Sequence, residues 1–210
     1  FLVSLFDQKF LNDVWQQKAY LIRNAVPNAC EIVDGSALKK LASHEDCESR
    51  IITGSKVSDI WQCQHGPFNV SDFVNFADKD WTLLVQGLDQ WNDRAAQLLN
   101  QFSFLPQWRL EDIMASYAPL GGGVGPHFDF YDVFLIQASG SREWQLGQRC
   151  DHSTQLQDND EVKLLAAFDC KDTHQVHAGD MLYIPAGMAH WGTATSDDCI
   201  TLSVGFRAPS

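Results

Sequence analysis

Read for the spacing of its apolar positions, the chain has short helices among strands in its first half and mostly strands in its second. Phe6, Phe10, Val14 and Trp15 recur at helical spacing in DQKFLNDVWQQK, with Asp7 placed to cap, and AYLIRNAV reads as a strand. Asp34 or Ser36 caps a short helix through Ala42, and SRIITG and DIWQCQ are strands closed by the turn Gly66-Pro67. SDFVNFA then reads as a short helix, WTLLVQGL as a buried strand, NDRAAQLLNQF as an amphipathic helix, and Leu110 to Ala118 as a strand. Aromatic residues at the front of the chain read as core. Further on, Phe128, Phe130, Val133, Phe134, Leu135 and Ile136 form a β-favouring run, MLYI lies between two turns, and CITLSVGFR is a buried strand. That last strand is expected to close the sheet and leave no long exposed edge. Arg149 to Lys171 is the least regular part, and no repeat or low-complexity linker divides the chain, so 1–210 reads as one domain.

One stretch breaks the pattern. From Ser116 to Arg142 the chain runs SYAPLGGGVGPHFDFYDVFLIQASGSR, where four glycines and Pro126 lead directly into His127-Phe128-Asp129. Two residues apart on a strand, His127 and Asp129 share a face, and Tyr131 shares it too, while Asp132 points the other way. Tyr131 is therefore either a wall of a substrate pocket or a buried core tyrosine. A second His-x-Asp triplet, His44-Glu45-Asp46, lies in the polar segment SHEDCESR and reads as a solvated helix end. Downstream, Gly179-Asp180-Met181-Leu182-Tyr183-Ile184-Pro185-Ala186-Gly187-Met188-Ala189-His190 reads as turn, strand, turn, and a histidine opening a further strand. Two imidazoles and one carboxylate on one face of iron(II) leave open positions, which points to chemistry rather than a structural metal.

GGGVGPHFDFYDVF, GDMLYIPAGMAH and SVGFRAP together resemble the bacterial JmjC-type ribosomal oxygenases, the YcfD/RoxA group, over most of the chain. The resemblance implies a mainly β fold with flanking helices, a cupin/JmjC double-stranded β-helix or jelly-roll barrel. It implies His127, Asp129 and His190 as iron(II) ligands and catalytic centre, with 2-oxoglutarate and O2 as cosubstrates. Arg142 and Ser116 match positions that engage the far carboxylate of 2-oxoglutarate, and Thr201 or Ser203 lies within reach of the same site. An arginine suits that role because its planar fork grips a carboxylate through two parallel bonds. Arg109 and Lys163 are the next cations for it, and a surface arginine after the turn Ala138-Ser139-Gly140-Ser141 is the plainer reading of Arg142. The implied activity is hydroxylation of an arginine of the sixteenth large-subunit ribosomal protein, with Tyr131 against the guanidinium stem and Asp112 or Asp132 as its counter-charge. A histidine-hydroxylating relative is the nearest rival. A cupin isomerase or small-molecule dioxygenase with Glu143 or His177 as a fourth ligand, and a non-catalytic metal-binding module, are the others.

Net charge sharpens the partner expectation. At −12 the chain favours a basic ribosomal protein over nucleic acid, and it has neither a signal-like leader nor an apolar run of membrane-spanning length, so it reads as cytoplasmic. Asp158, Asp160 and Glu161 could rim the site for a cationic substrate, although a solvated connection is the simpler account of that segment. Cysteines at 30, 47, 63, 150, 170 and 199 show no paired spacing and read as reduced thiols. His174 and His177 fall on opposite faces of a strand, a poor metal pair, His65 reads as structural, and His152 has no assignment. The chain starts at Phe1 without a methionine and is expected to be a fragment, because the resemblance implies a following dimerising helical region and a winged-helix-like domain. The full-length protein would then be a homodimer and this piece a monomer.

Overall fold

A computed structural model of the protein describes residues 2, 6–54, 60–76, 80–104, 106–159 and 162–207. Eleven strands among them form two antiparallel sheets. In chain order they are β1 (Tyr20–Ile22), β2 (Ser49–Thr53), β3 (Gln62–His65), β4 (Trp81–Val85), β5 (Leu110–Ala118), β6 (Asp132–Ser139), β7 (Ser141–Arg149), β8 (Asp172–His177), β9 (Met181–Ile184), β10 (Met188–Ala194) and β11 (Cys199–Phe206). The larger sheet runs β1-β9-β6-β11-β5-β4-β2-β3 and the smaller runs β10-β7-β8. This is the mainly β architecture with flanking helices that the sequence leads one to expect.

Local signals account for the helices. Asp7 accepts from the N–H of Phe10 (2.8 Å) to cap α1 (Gln8–Asp13), and Asp34, rather than Ser36, accepts from Ala37 (2.8 Å) to cap α2 (Gly35–Leu41). Asn92 accepts from Arg94 and Ala95 to start α3 (Asp93–Asn100). The helix expected over SDFVNFA is a 3-10 turn over Val70–Val74. No helix among the described residues is long and apolar enough to cross a membrane, and none of the six cysteines is in a disulfide.

Strand alternation divides the large sheet into two faces. Phe134, Ile136, Tyr183, Leu202, Val204 and Phe206 point outward into a core roofed by the helices. There Phe134, fully buried, meets the rings of Tyr183 (4.9 Å), Phe6 (5.1 Å), Phe102 (5.2 Å) and Phe206 (5.5 Å). Val133, Leu135, Leu182 and Ile184 point inward and pack against Trp144, Leu146 and Val176 of the small sheet. The sandwich between the sheets is the barrel interior.

Two expectations need correction. β11 does not close the sheet but lies in its middle, paired with β5 on one side and β6 on the other, and β1 and β3 are the edges. The strand expected from Phe128 begins only at Asp132, because the preceding residues pair with the turn and strand that carry Gly187 and His190, not with a neighbour in the large sheet.

The turn at Gly179-Asp180 carries the chain from the small sheet to the large one. Asp180 is buried, and its carboxylate accepts from the N–H groups of Asn24 (2.9 Å) and His177 (3.1 Å) and from the Arg23 guanidinium. Burial alone would raise this carboxyl; the two N–H donors and Arg23 outweigh it and hold it below the usual carboxylate range. A depressed folded-state value contributes stability above the unfolded pKa that is lost as pH falls through the folded one. Asp180→Asn is therefore expected to cost about 1–3 kcal/mol at neutral pH. Urea unfolding at a series of acidic pH values should show the gap to wild type closing as Asp180 protonates; a gap independent of pH would contradict the assignment.

Candidate metal centre

The glycine loop runs alongside β10. Gly121 donates to the carbonyl of Ala194 (2.9 Å), Ala194 donates to Gly122 (2.8 Å), and Gly123 bridges Thr193. A side chain at Gly123 would put its Cβ 2.5 Å from the carbonyl oxygen of Gly192, so only glycine permits this approach. At the end of the loop His127 and His190 exchange both backbone hydrogen bonds, His127 N–H to His190 O at 3.0 Å and the reverse at 2.8 Å. Residues paired in this way lie directly opposite and project to the same face, which brings the two imidazoles to 4.2 Å between centroids. Gly187 donates to the carbonyl of Asp129 (2.7 Å), fixing the third residue against the same turn.

The three side chains converge. One ligand atom from each of His127, Asp129 and His190 lies within 4.8 Å of the others, and His190 Nε2 is 3.6 Å from Asp129 Oδ2. Each histidine has its Nδ1 against a carbonyl two residues earlier, Gly125 for His127 (3.0 Å) and Met188 for His190 (2.9 Å). A carbonyl can only accept, so Nδ1 carries the proton and Nε2 presents its lone pair. Burial, reinforced by His127, pushes the His190 imidazole down to about 4 against the opposing pull of Asp129 and the Met188 carbonyl, so it is neutral at physiological pH. Neutral imidazoles and an ionised carboxylate are the donor set a divalent metal requires. Among the described residues no fourth His, Cys, Asp or Glu joins the group; His177 is exposed on β8, so the four-ligand cupin reading finds no support.

Arg142 lies on the same inner face. It is 2 % exposed, four residues along β7 from Leu146, the cross-strand partner of His190, and so about 13 Å from it along the strand. Its Nε and Nη2 meet no acceptor among the described residues, and neither does the buried Nε1 of Trp144 between them on the face. Opposite Trp144 is Gly192, whose missing side chain makes room for the indole. Leaving a buried guanidinium unpaired costs several kcal/mol, so this wall fits an anionic occupant such as a carboxylate. The surface-arginine reading is excluded by its burial.

Ser116 is buried on the inner face of the opposite wall, on β5, where its Oγ donates to the carbonyl of Thr201 (3.4 Å). Ser116 thus lies in the large sheet and Arg142 in the small one. Thr201 in turn donates to Gln137 Oε1 (3.0 Å), completing a buried polar row. Gln137 was not singled out from sequence, yet the alternation through Tyr131, Val133 and Leu135 assigns it to this face.

Tyr131 does turn towards the metal group. Burial raises its phenol, and the charge of Asp129, a hydrogen bond to Asp129 and the charge of Glu111 raise it further, with Arg50 opposing. Asp132, offered above as a substrate counter-charge, is fully buried on the outer face, accepting from Tyr183 (2.6 Å) and Gln16 (3.2 Å) and facing Arg109 at 3.6 Å. It is a core acid, and Arg109, which faces it, lies on the outer side with its Nε donating to the carbonyl of Arg207 (2.9 Å). Asp112 has its Oδ2 taken by Gln86 (2.8 Å) and Gly87 (2.8 Å). Lys163 is exposed, His174 pairs with Asp172 at 3.1 Å, and His152 stacks on Phe130 at 4.3 Å. Asp158 is exposed; Asp160 and Glu161 lie outside the described residues.

A two-histidine, one-carboxylate group inside a double-stranded β-helix defines a class of metal-dependent oxygenases. The family model for the JmjC domain matches residues 97–210, more than half of the chain, and the chain belongs to this family. A probable ribosomal oxygenase of Haemophilus influenzae is 43% identical over 202 residues, covering 96% of this chain and 49% of the relative. The ribosomal protein uL16 3-hydroxylase of Escherichia coli is 36% identical over 207 residues, covering 96% and 52%. An X-ray structure of Escherichia coli YcfD superposes with a TM-score of 0.88 at 34% identity over 96% of this chain and 53% of that one. A structure of YcfD with cobalt and 2-oxoglutarate gives 0.83 at 34% identity, over 96% and 51%. The chain thus spans about half the length of the curated relatives it matches. Iron(II), 2-oxoglutarate and O2 are the cofactor set of the family, and the His127, Asp129 and His190 donors fit the metal.

Metal binding should be visible as stabilisation. With anaerobic iron(II) at about 100 times its dissociation constant, the unfolding free energy is expected to rise by about 2.7 kcal/mol. His190→Ala and Asp129→Ala should each abolish that rise; an unchanged rise in either variant would remove that residue from the site.

Proposed function

We propose that the chain is the catalytic part of an iron(II)- and 2-oxoglutarate-dependent protein hydroxylase acting on an arginine of ribosomal protein uL16. The observation that carries this reading is the buried, unpartnered guanidinium of Arg142 on the face that holds His190. A structural metal site has no need of it; a cosubstrate with a carboxylate at its far end does. Bound together, iron(II), 2-oxoglutarate and O2 supply the oxidation of a C–H to a C–OH, with the keto acid leaving as succinate and CO2.

The residues divide that work. His127, Asp129 and His190 hold the metal, each imidazole kept in one tautomer by its backbone carbonyl. Arg142 takes the far carboxylate of the cosubstrate, with Trp144 Nε1 as a further donor from the same wall and the Ser116 hydroxyl, turned away from the Thr201 carbonyl, from the other. The apolar residues around them, Val133, Leu135, Leu146, Leu182 and Ile184, exclude water from the reacting atoms. Tyr131 lies beside Asp129 and offers its ring to the substrate side chain. The choice of uL16 rests on the name of the Escherichia coli relative and on a net charge of −12, which favours encounter with a basic protein and disfavours rRNA.

Incubated with iron(II), 2-oxoglutarate and uL16, the protein is expected to add one oxygen, localised by fragment-ion mass spectrometry to an arginine; oxygen on a histidine would move it to the histidine-hydroxylating branch. Arg142→Ala should weaken 2-oxoglutarate binding at least tenfold, a conservative figure for the loss of a bidentate charge-assisted pair. Iron(II) binding should persist in that variant. Unaltered 2-oxoglutarate affinity would transfer the anchor to another residue.

A further inference from the structure

The irregular segment between β7 and β8 is bound to the metal loop. Its two arms, residues 155–159 and 162–166, meet at a bridge between Leu156 and Leu165, with Gln157 N–H donating to the Leu164 carbonyl (2.8 Å) and Ala166 N–H to that of Gln155 (3.1 Å). The second arm also reaches outward, where Leu165 N–H donates to the carbonyl of Pro126 at 2.9 Å. Pro126 immediately precedes His127, so this arm grips the chain one residue from a metal ligand. Leu164 beside it is 1 % exposed, although Lys163 and Ala166 around it are exposed.

The buried Leu164 side chain packs on Gly125. A Cβ on Gly125 would lie 2.9 Å from both Cδ1 and Cδ2 of Leu164 and 3.2 Å from Trp61 Cε2, so these two side chains close over the glycine where another residue would carry its own. Gly125 has a φ of +83°, and its carbonyl meets His127 Nδ1 at 3.0 Å. Trp61 is fixed in turn. Asn159 of the first arm donates its Nδ2 to the Trp61 carbonyl (3.1 Å), and the indole meets the ring of Trp191, the residue after His190, edge-on at 6.3 Å. The two histidines are thus supported unequally. Met188, whose carbonyl orients His190, is paired in β10 with Arg149 of β7, whereas Gly125 lies in a loop. Glycine has the widest choice of backbone conformations, so the direction of its carbonyl is set by what packs against it.

We propose that Leu164 is a positioning residue for the metal centre: closed with Trp61 over Gly125, it keeps that carbonyl on His127 Nδ1 and so leaves Nε2 with a lone pair for the metal. A histidine released from the carbonyl can carry its proton on Nε2 instead, and a protonated nitrogen cannot bind a metal. Contacts that orient a ligand in this way are worth about 10–100-fold in metal affinity. The inference rests on the metal group of the hydroxylase reading and not on its choice of substrate.

The test compares Leu164→Ala with wild type in two measurements that need no substrate. Heteronuclear NMR of the histidine ring nitrogens in the metal-free protein distinguishes the two tautomers. Wild type should carry the proton on Nδ1 of both His127 and His190; Leu164→Ala should shift His127 towards the Nε2–H form and leave His190 as it was. Anaerobic iron(II) binding, measured against a competing chelator, should weaken about tenfold in the same variant. Leu164→Met keeps the apolar bulk and should restore both readouts. Leu164→Val should fall between, which keeps the proposal testable if the alanine variant folds poorly. Leu38→Ala, which opens the core beneath the helices, should lower stability and alter neither readout. Leu164→Ala with the His127 tautomer or the iron(II) affinity unchanged, or Leu38→Ala with the same changes, would overturn the role of Leu164. Failure of wild type to bind iron(II) would count instead against the metal group on which it rests.

Discussion

Everything at the metal group depends on one pair of backbone hydrogen bonds, those exchanged between His127 and His190. They set two imidazoles opposite one another without asking anything of the side chains, and the flanking carbonyls of Gly125 and Met188 then decide which nitrogen faces the metal. The pair can form because a glycine loop can press against β10 closely enough to keep register up to His127. The ligand geometry is therefore a consequence of main-chain pairing, as rigid as the strand it is built on.

The barrel around this pair is built with two kinds of interior. Outside the large sheet an aromatic cluster centred on Phe134 supplies packing, and nothing in it is exposed to the chemistry. Inside, apolar residues at one end give way to Ser116, Gln137, Thr201 and Arg142. Polar groups in such a place are costly unless they are satisfied. Thr201 donates to Gln137 and Gln137 to the carbonyl of Ser139, but the Nε and Nη2 of Arg142 do not find an acceptor among the described residues, and that imbalance separates a ligand site from a structural one.

How far this was legible in the sequence varied with range. His127, Asp129 and His190 could be picked out because glycine and proline punctuate the chain just before each histidine, and side-chain alternation correctly sent Tyr131 inward and Asp132 outward. The strand assignment over Phe128 to Tyr131 failed because this segment pairs with residues about sixty positions away, His127 with His190 and Asp129 with Gly187, and bends at Phe130 and Tyr131 before β6 begins. For the same reason β11 was misplaced: strand order is decided by long-range pairing that no local pattern records.

The central claim is that a keto acid anchored by Arg142 completes the coordination of a metal held by His127, Asp129 and His190. Its most direct test is anaerobic titration of the iron(II)-loaded protein with 2-oxoglutarate, followed by visible absorbance. Chelation of iron(II) by the keto acid should produce a weak, saturable charge-transfer band in wild type that succinate, lacking the keto group, does not produce. An iron-loaded protein that binds 2-oxoglutarate without developing the band would contradict the account.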